Sequence, residues 1–344
     1  MKRIFFSTLS LILLLGIPTV LGVLVGISTL PLRETEVVKI INIPPGTCLN
    51  KLSSLLCSEG IIRSKHIFSL LVRLKKADIK IKAGEYQFSN RMFPAEILSK
   101  LIRGEQVKYT VIIPEGLSIT QIANLYEKVG LANKDKFIRL ANDPQFVASL
   151  GMEGNTLEGY LFPDTYRFTR YIGEKNIIRC MVQRFKKVYG EEFKKREQEL
   201  NLSQKEVIII ASLIEKETSC PQERPIISAV FHNRLRLNMP LQCDPTVIFG
   251  LNNFNGNLTK EDLKTPTPYN TYLISGLPPT PIANPGLASI KAALYPADVD
   301  YLYFVSKNDG THYFSSTLKE HNQAVYTYQK KWDLGKDKLN NGEK

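Results

Sequence analysis

None of the four histidines, His66, His232, His312 and His321, stands at HExxH spacing from another, and none of the five cysteines forms a CxxC. That excludes a helical zinc-hydrolase site and a zinc ribbon, and no other residue set calls for a metal or cofactor. A Gly-x-Ser-x-Gly elbow is also missing, so a serine hydrolase of that type is excluded. Neither a GxxxxGK[ST] loop, an RNP motif nor zinc-finger spacing occurs, and basic residues are scattered among acids, so no nucleic-acid partner is expected. Cys48, Cys57, Cys180, Cys220 and Cys243 are odd in number. Bridges Cys48–Cys57 or Cys220–Cys243 and small buried thiols both stay open.

One further absence carries information. Between Ile4 and Leu30 there is no charged residue. As a helix this stretch would span about 40 Å, enough to cross a bilayer with tilt. Lys2 and Arg3 precede it, so the positive-inside rule predicts a single-pass anchor in the inner membrane, with the N-terminus cytoplasmic and the rest periplasmic or extracytoplasmic. The 344 residues are 43% apolar and carry 45 Lys and Arg against 33 Asp and Glu, a net charge of +12. Such a chain buries a core and suits an anionic membrane surface or an acidic wall polymer.

IPPGTCLNKLSSLLCSEGII from Ile43 and IPEGLSITQIANLYEKVGLA from Ile113 read alike. Each joins a β-type run, a Pro-x-Gly turn, an apolar pattern at helical spacing and a terminating glycine. These units resemble LysM carbohydrate-binding modules; a spacer that binds nothing fits them equally. The expected organisation is a tip and transmembrane anchor over 1–35, LysM-like units over 36–110 and 111–195, a catalytic domain over 196–332 and a polar tail over 333–344. The expected fold class is α+β: a transmembrane helix, LysM-like βα repeats, then an α+β catalytic domain with a buried, glutamate-bearing helix.

That helix follows Ser203-Gln204-Lys205-Glu206, an S-x-x-E capping box. Val207 to Ile214 is apolar nearly all round and leads into Glu215-Lys216-Glu217. At about 100° per residue, Glu217 lies about 50° from the centre of the apolar face and Glu215 about 110°. The two carboxylates point about 160° apart, so they cannot serve one site together. Burial raises a carboxyl pKa, which a general acid needs, so Glu217 is the candidate acid and Glu215 a supporting hydrogen-bond or ion-pair partner. Helix-end carboxylates paired with Lys216 or Arg224 are the alternative from position alone.

Downstream lie ERPIISAVFHNRLRLNMPLQCDPTVIFGL, TPTPYNTYLISGLPPTPIANPGLASIKAALYP and YLYFVSKNDGTHYFSSTLKEHN. With IIASLIEKET, KAGEYQF and LEGYLFPDTY, these strings resemble the YceG-like endolytic murein transglycosylases, the MltG family. The departure is Cys243, where the family pattern has threonine. The resemblance implies a lyase that cuts the β-1,4 bond between N-acetylmuramic acid and N-acetylglucosamine in nascent peptidoglycan, leaving 1,6-anhydromuramoyl ends and ending strand elongation. It assigns the catalytic role to Glu217 and implies peptidoglycan synthases as partners, though no residue pattern identifies one.

Supporting or substrate-binding candidates are Gln242, Asp244 and Thr246 in LQCDPT, Tyr269, Asn270 and Tyr272 in YNTY, and Asn233 and Arg234 in HNRLR. Arg234 has Glu215, Asp244 or a substrate carboxylate as expected partners. Asp244 with an intervening water would instead make an inverting, muramidase-type hydrolase. A non-catalytic wall-binding scaffold is the reading from another class.

Overall fold

The computed structural model describes residues 35–330. They fall into two compact units, 35–110 with 167–172, and 111–166 with 173–330.

In the first unit, β1 (Val38–Ile43) pairs antiparallel with β2 (Gly84–Ser89), Ile41 opposite Tyr86. Alternation points Ile41 and Ile43 inward beside Tyr86 and Phe88. Between the strands run α1 (Leu49–Ser58) and α2 (Lys65–Leu74), and α3 (Pro94–Arg103) follows. Leu52, Leu56, Phe68, Val72, Ile97 and Leu101 close one apolar core with those strands. Proline at the start of α3 and left-handed Gly104 at its end fix the helix limits.

The second unit takes in β3 (Tyr109–Ile112) from Val111 and β4 (Thr165–Phe168) up to Tyr166; these strands pair with each other. Helices α4 (Ile119–Lys128), α5 (Lys134–Ala141) and α6 (Pro144–Ser149) lie between them in sequence. Then come α7 (Glu174–Val188), α8 (Glu191–Glu199), α9 (Gln204–Glu217), α10 (Arg224–Arg236), α11 (Asp244–Gly250) and α12 (Leu287–Leu294). The hairpin β5 (Tyr303–Ser306) and β6 (His312–Ser315) and helix α13 (Leu318–Val325) close the unit.

The capping box forms as read: Ser203 Oγ accepts the Glu206 amide, and Glu206 accepts the Ser203 amide at 2.8 Å. Val207 to Ile214 is buried without interruption, because α9 is packed by α10, α11 and α12 at once. That surrounding explains β-branched residues in a helix: tertiary burial outweighs their modest propensity cost. Ser212 Oγ returns its proton to Ile209 O and accepts the Ile282 amide at 3.1 Å, which ties the loop before α12 to the helix.

The expected architecture needs correction. The fold is α+β, but among the described residues no helix is long and apolar enough to cross a membrane. The anchor expected over Ile4–Leu30, with Lys2 and Arg3, and the tail over 333–344 lie outside the described residues. The expected series of like LysM-type modules is also replaced. After the first unit's two strands and two intervening helices, the second Pro-x-Gly segment enters a different arrangement. Its strand β3 pairs with β4 across three helices, and α4 belongs to the same compact unit as α9. The local likeness of the two stretches reflects shared turn and cap chemistry, which does not dictate the tertiary partner.

Candidate active site

Glu217 ends α9, where Thr218 leaves the helical conformation, so its carboxylate stands at an open helix end. It lines a cleft of about 450 Å³ with Arg234, Gln242, Asp244, Tyr272, Phe304, Ser306, His312 and His321. Burial is the main force on its carboxyl and, with the charge of Asp244 adding to it, pushes the pKa up to about 7. A hydrogen bond with the Cys243 thiol works the other way. The thiol is buried, and its own pKa is raised by burial first and by Glu217 second. All five cysteines are unbridged, so the Cys220–Cys243 and Cys48–Cys57 pairings are not made.

Asp244 opens α11 beside Pro245 and is exposed on the cleft wall. Tyr272 donates its hydroxyl to Asp244 Oδ1 at 2.5 Å. Burial, then this contact, raise the Tyr272 pKa, so the phenol stays protonated and keeps donating. Gln242 has a left-handed backbone, φ 52°, and its amide donates to Thr271 O at 3.0 Å. A non-glycine residue in that region costs roughly 1 kcal/mol, a local strain that aims the Gln242 side chain along the cleft.

Arg234 is buried, and its guanidinium goes elsewhere than expected. Nε donates to Leu302 O at 2.6 Å; Nη1 donates to Pro240 O and Leu241 O at 3.0 Å and to Gln242 Oε1 at 3.2 Å. It forms no ion pair with Glu215 or Asp244. Instead it braces the loop before α11 against the β5 strand, and lies over the Tyr303 ring at 5.1 Å. Asn233 does similar work, donating to Val299 O and Tyr301 O.

Thr246 and Asn270 are fully buried. Thr246 Oγ1 meets Thr271 Oγ1 at 2.8 Å, and Thr271 Oγ1 accepts the Cys243 amide. Asn270 donates to Leu263 O and Thr265 O and accepts the Tyr272 amide. These two therefore shape the LQCDPT and YNTY loops from inside. Tyr269 shares a hydrogen bond with Thr280 and packs edge-on to Phe249, away from the cleft lining.

Glu215 faces another direction. Its Oε2 accepts the Gly286 amide at 3.0 Å and its Oε1 lies 3.8 Å from Arg224 Nη2. A Cβ at position 286 would stand 1.9 Å from Glu115 Oε1, so a larger residue there would push the Glu115 carboxylate aside. Of the sequence-derived candidates, the fold thus gathers Glu217, Gln242, Asp244, Tyr272 and Arg234 at one cleft and leaves Glu215 and Tyr269 outside its lining.

Sequence reasoning missed His312, Glu223 and His321. Glu223 precedes α10, is buried, and holds His312 from both sides, at the amide (2.8 Å) and Nδ1 (2.7 Å). The histidine spacing carried no signal for this, because the two residues stand on separate elements. Among the described residues, no three His, Cys, Asp or Glu side chains are grouped to hold a metal ion.

A protein-family model described as the YceG-like family matches residues 41–327. A Bacillus subtilis protein named endolytic murein transglycosylase is 34% identical over 312 residues, covering 86% of this chain and 86% of its own. A Streptococcus pneumoniae protein of the same name is 30% identical over 320 residues, which cover 83% of this chain and 57% of that longer one. A crystal structure of a YceG-like protein from Listeria monocytogenes is similar with a TM-score of 0.58 at 34% identity, over 84% of this chain and 99% of that one.

Proposed function

This chain belongs to the YceG-like family, and from that premise we infer that it is a lytic transglycosylase that cleaves peptidoglycan glycan strands internally. The observation that carries the residue-level reading is Glu217: one carboxyl, pushed up to about 7, on the lining of a cleft of about 450 Å³. In this reading Glu217 protonates the oxygen leaving N-acetylmuramic acid at the β-1,4 bond. The resulting carboxylate then takes the proton of the muramic C6 hydroxyl, which attacks its own anomeric carbon. An intramolecular nucleophile has a high effective concentration, so the 1,6-anhydro ring closes ahead of attack by water. The exposed carboxylate of Asp244 supports the positive charge that develops on the sugar, and Tyr272 keeps that carboxylate oriented.

Asp244 on the same cleft also favours a second reading, an inverting hydrolase in which it activates water. The ends of the products decide between them. Soluble glycan strands digested with the protein are expected to carry 1,6-anhydromuramoyl ends by mass spectrometry; reducing muramic acid ends would establish the hydrolase. A third reading, a wall-binding scaffold, predicts strand binding with no new ends of either kind.

The polymer lies outside the cytoplasmic membrane, which supports an extracytoplasmic catalytic unit and peptidoglycan synthases as the partner class. Labelling Cys48, an exposed thiol, in intact cells with a membrane-impermeant maleimide tests the location. Protection until lysis would place the chain inside.

A further inference from the structure

The cleft holds a second built group that the proposed acid does not use. His312 lines it, at the start of β6, with its ring edge-on to Phe304, another lining residue, at 5.5 Å. Glu223 grips it twice, Oε1 accepting the His312 amide and Oε2 facing Nδ1 at 2.7 Å. Glu223 also accepts the Thr218 hydroxyl at 3.3 Å, and Thr218 is the residue directly after Glu217. One buried carboxylate therefore ties the imidazole to the helix end that presents the acid.

The consequence is chemical. A carboxylate accepts only, so Nδ1 must carry a proton, and in the neutral ring Nε2 is left with its lone pair. No hydrogen bond from protein reaches Nε2 among the described residues, and the main chain on both sides of the ring is fixed by the β5–β6 pairing, Ser306 opposite His312. A buried carboxylate on one ring nitrogen fixes the tautomer and orientation of an imidazole, which is how proteins aim the second nitrogen at a bound group.

We propose that His312 contacts the glycan through Nε2, accepting a hydrogen bond from a sugar hydroxyl or N-acetyl N–H, and that Glu223 is the residue that positions it. The proposal rests on the glycan-cleaving reading of the same cleft. It assigns Glu223 no contact with substrate; its effect passes through the tautomer and orientation of His312.

Two substitutions separate the nitrogens. Asparagine places its amide near Nδ1 and leaves Nε2 empty, whereas glutamine reaches the Nε2 position. With the full chain on glycan strands, His312→Asn is expected to keep the parental Tm and lose roughly tenfold in kcat/KM, the worth of one buried hydrogen bond. His312→Gln should recover to within about threefold of the parent if its amide oxygen takes the place of Nε2. Glu223→Gln donates an amide proton toward Nδ1 and reverses the tautomer, so it should cost activity in the parent but nothing further in the His312→Gln background. Parental kcat/KM in folded His312→Asn would overturn the proposal, as would equal losses in the Asn and Gln variants accompanied by a falling Tm. Strand affinity, measured by titration calorimetry with and without His312→Asn in a Glu217→Gln background, separates the two ideas. If the parent makes no new ends, the cleavage reading fails, while an affinity unchanged by His312→Asn sinks the contact.

Discussion

Glu215 and Glu217 are two residues apart on one helix, yet the regions they enter have opposite electrostatic designs. On the Glu215 side the protein supplies compensation: the Gly286 amide and the Arg224 guanidinium. The region tolerates even a second acid, Glu115, whose pKa is raised by burial first and by Glu215 second, with Arg224 opposing both. On the Glu217 side the protein withholds compensation. Among the described residues no cation pairs with Glu217; it has a weakly donating thiol and a neighbouring carboxylate. Compensation makes a carboxylate structural, and its absence makes one a proton donor near neutral pH.

Removing the proton from the uncompensated side should have the largest effect. Glu217→Gln is expected to lower kcat by about 10³-fold or more, the scale of a general acid, with the fold intact by circular dichroism. Because the folded pKa lies above the unfolded value, the parent gains stability below about pH 4.5 and loses it as pH rises through about 7. The penalty is at most about 3 kcal/mol. Glu217→Gln should therefore melt higher than the parent at pH 8 and show no such gain at pH 4. A variant with parental activity would move catalysis to the other region.

The same difference predicts a pH profile. The reaction needs protonated Glu217, so kcat/KM should fall about tenfold per unit above pH 7. A profile flat to pH 9 would mean that Glu217 is not the group whose proton is transferred.

How far this contrast could be read from sequence depends on distance along the chain. The capping box and the apolar run set the phase of α9, and the phase alone separates Glu215 from Glu217. Helical geometry is local, so it survives in the sequence. Arg234 shows the opposite case. Its expected carboxylate partners are replaced by main-chain carbonyls at Pro240, Leu241 and Leu302, and carbonyls exist at every residue, so no side-chain pattern announces them. Thr246 and Asn270 read in sequence as polar loop residues free to meet a substrate; in the fold they are the polar interior that holds those loops in shape. Glu223 and His312 are 89 residues apart, joined only when β6 packs beside the start of α10. The β-type runs before the two Pro-x-Gly turns are legible as strands β1 and β3, whereas their pairing with β2 and β4 is not, since pairing is decided by tertiary packing.

Breaking the compensated region should be felt as stability before activity. Glu215→Ala strands Arg224, whose Nε already has no partner, and removes the acceptor of the Gly286 amide. A loss of roughly 2 kcal/mol is expected from urea unfolding, since a buried cation and a donor are left unmet. Activity per folded molecule should fall less than about tenfold, because Glu215 lines no part of the cleft. A loss as deep as that of Glu217→Gln would erase the distinction between the regions.

The finest test adjusts the uncompensated region without abolishing it. The Cys243 thiol is the one group there that favours ionised Glu217, through a hydrogen bond. Cys243→Ala deletes that bond and little volume, so Glu217 should hold its proton to higher pH. The alkaline limb of kcat/KM should then move up, by less than about one unit because a thiol is a weak donor. Threonine at this position, with a stronger hydroxyl donor, should move the limb down if its rotamer reaches the carboxylate. The two substitutions thus push in opposite directions from one site. A limb that stays put in both would show that burial and Asp244 set the acidity of Glu217 without the thiol.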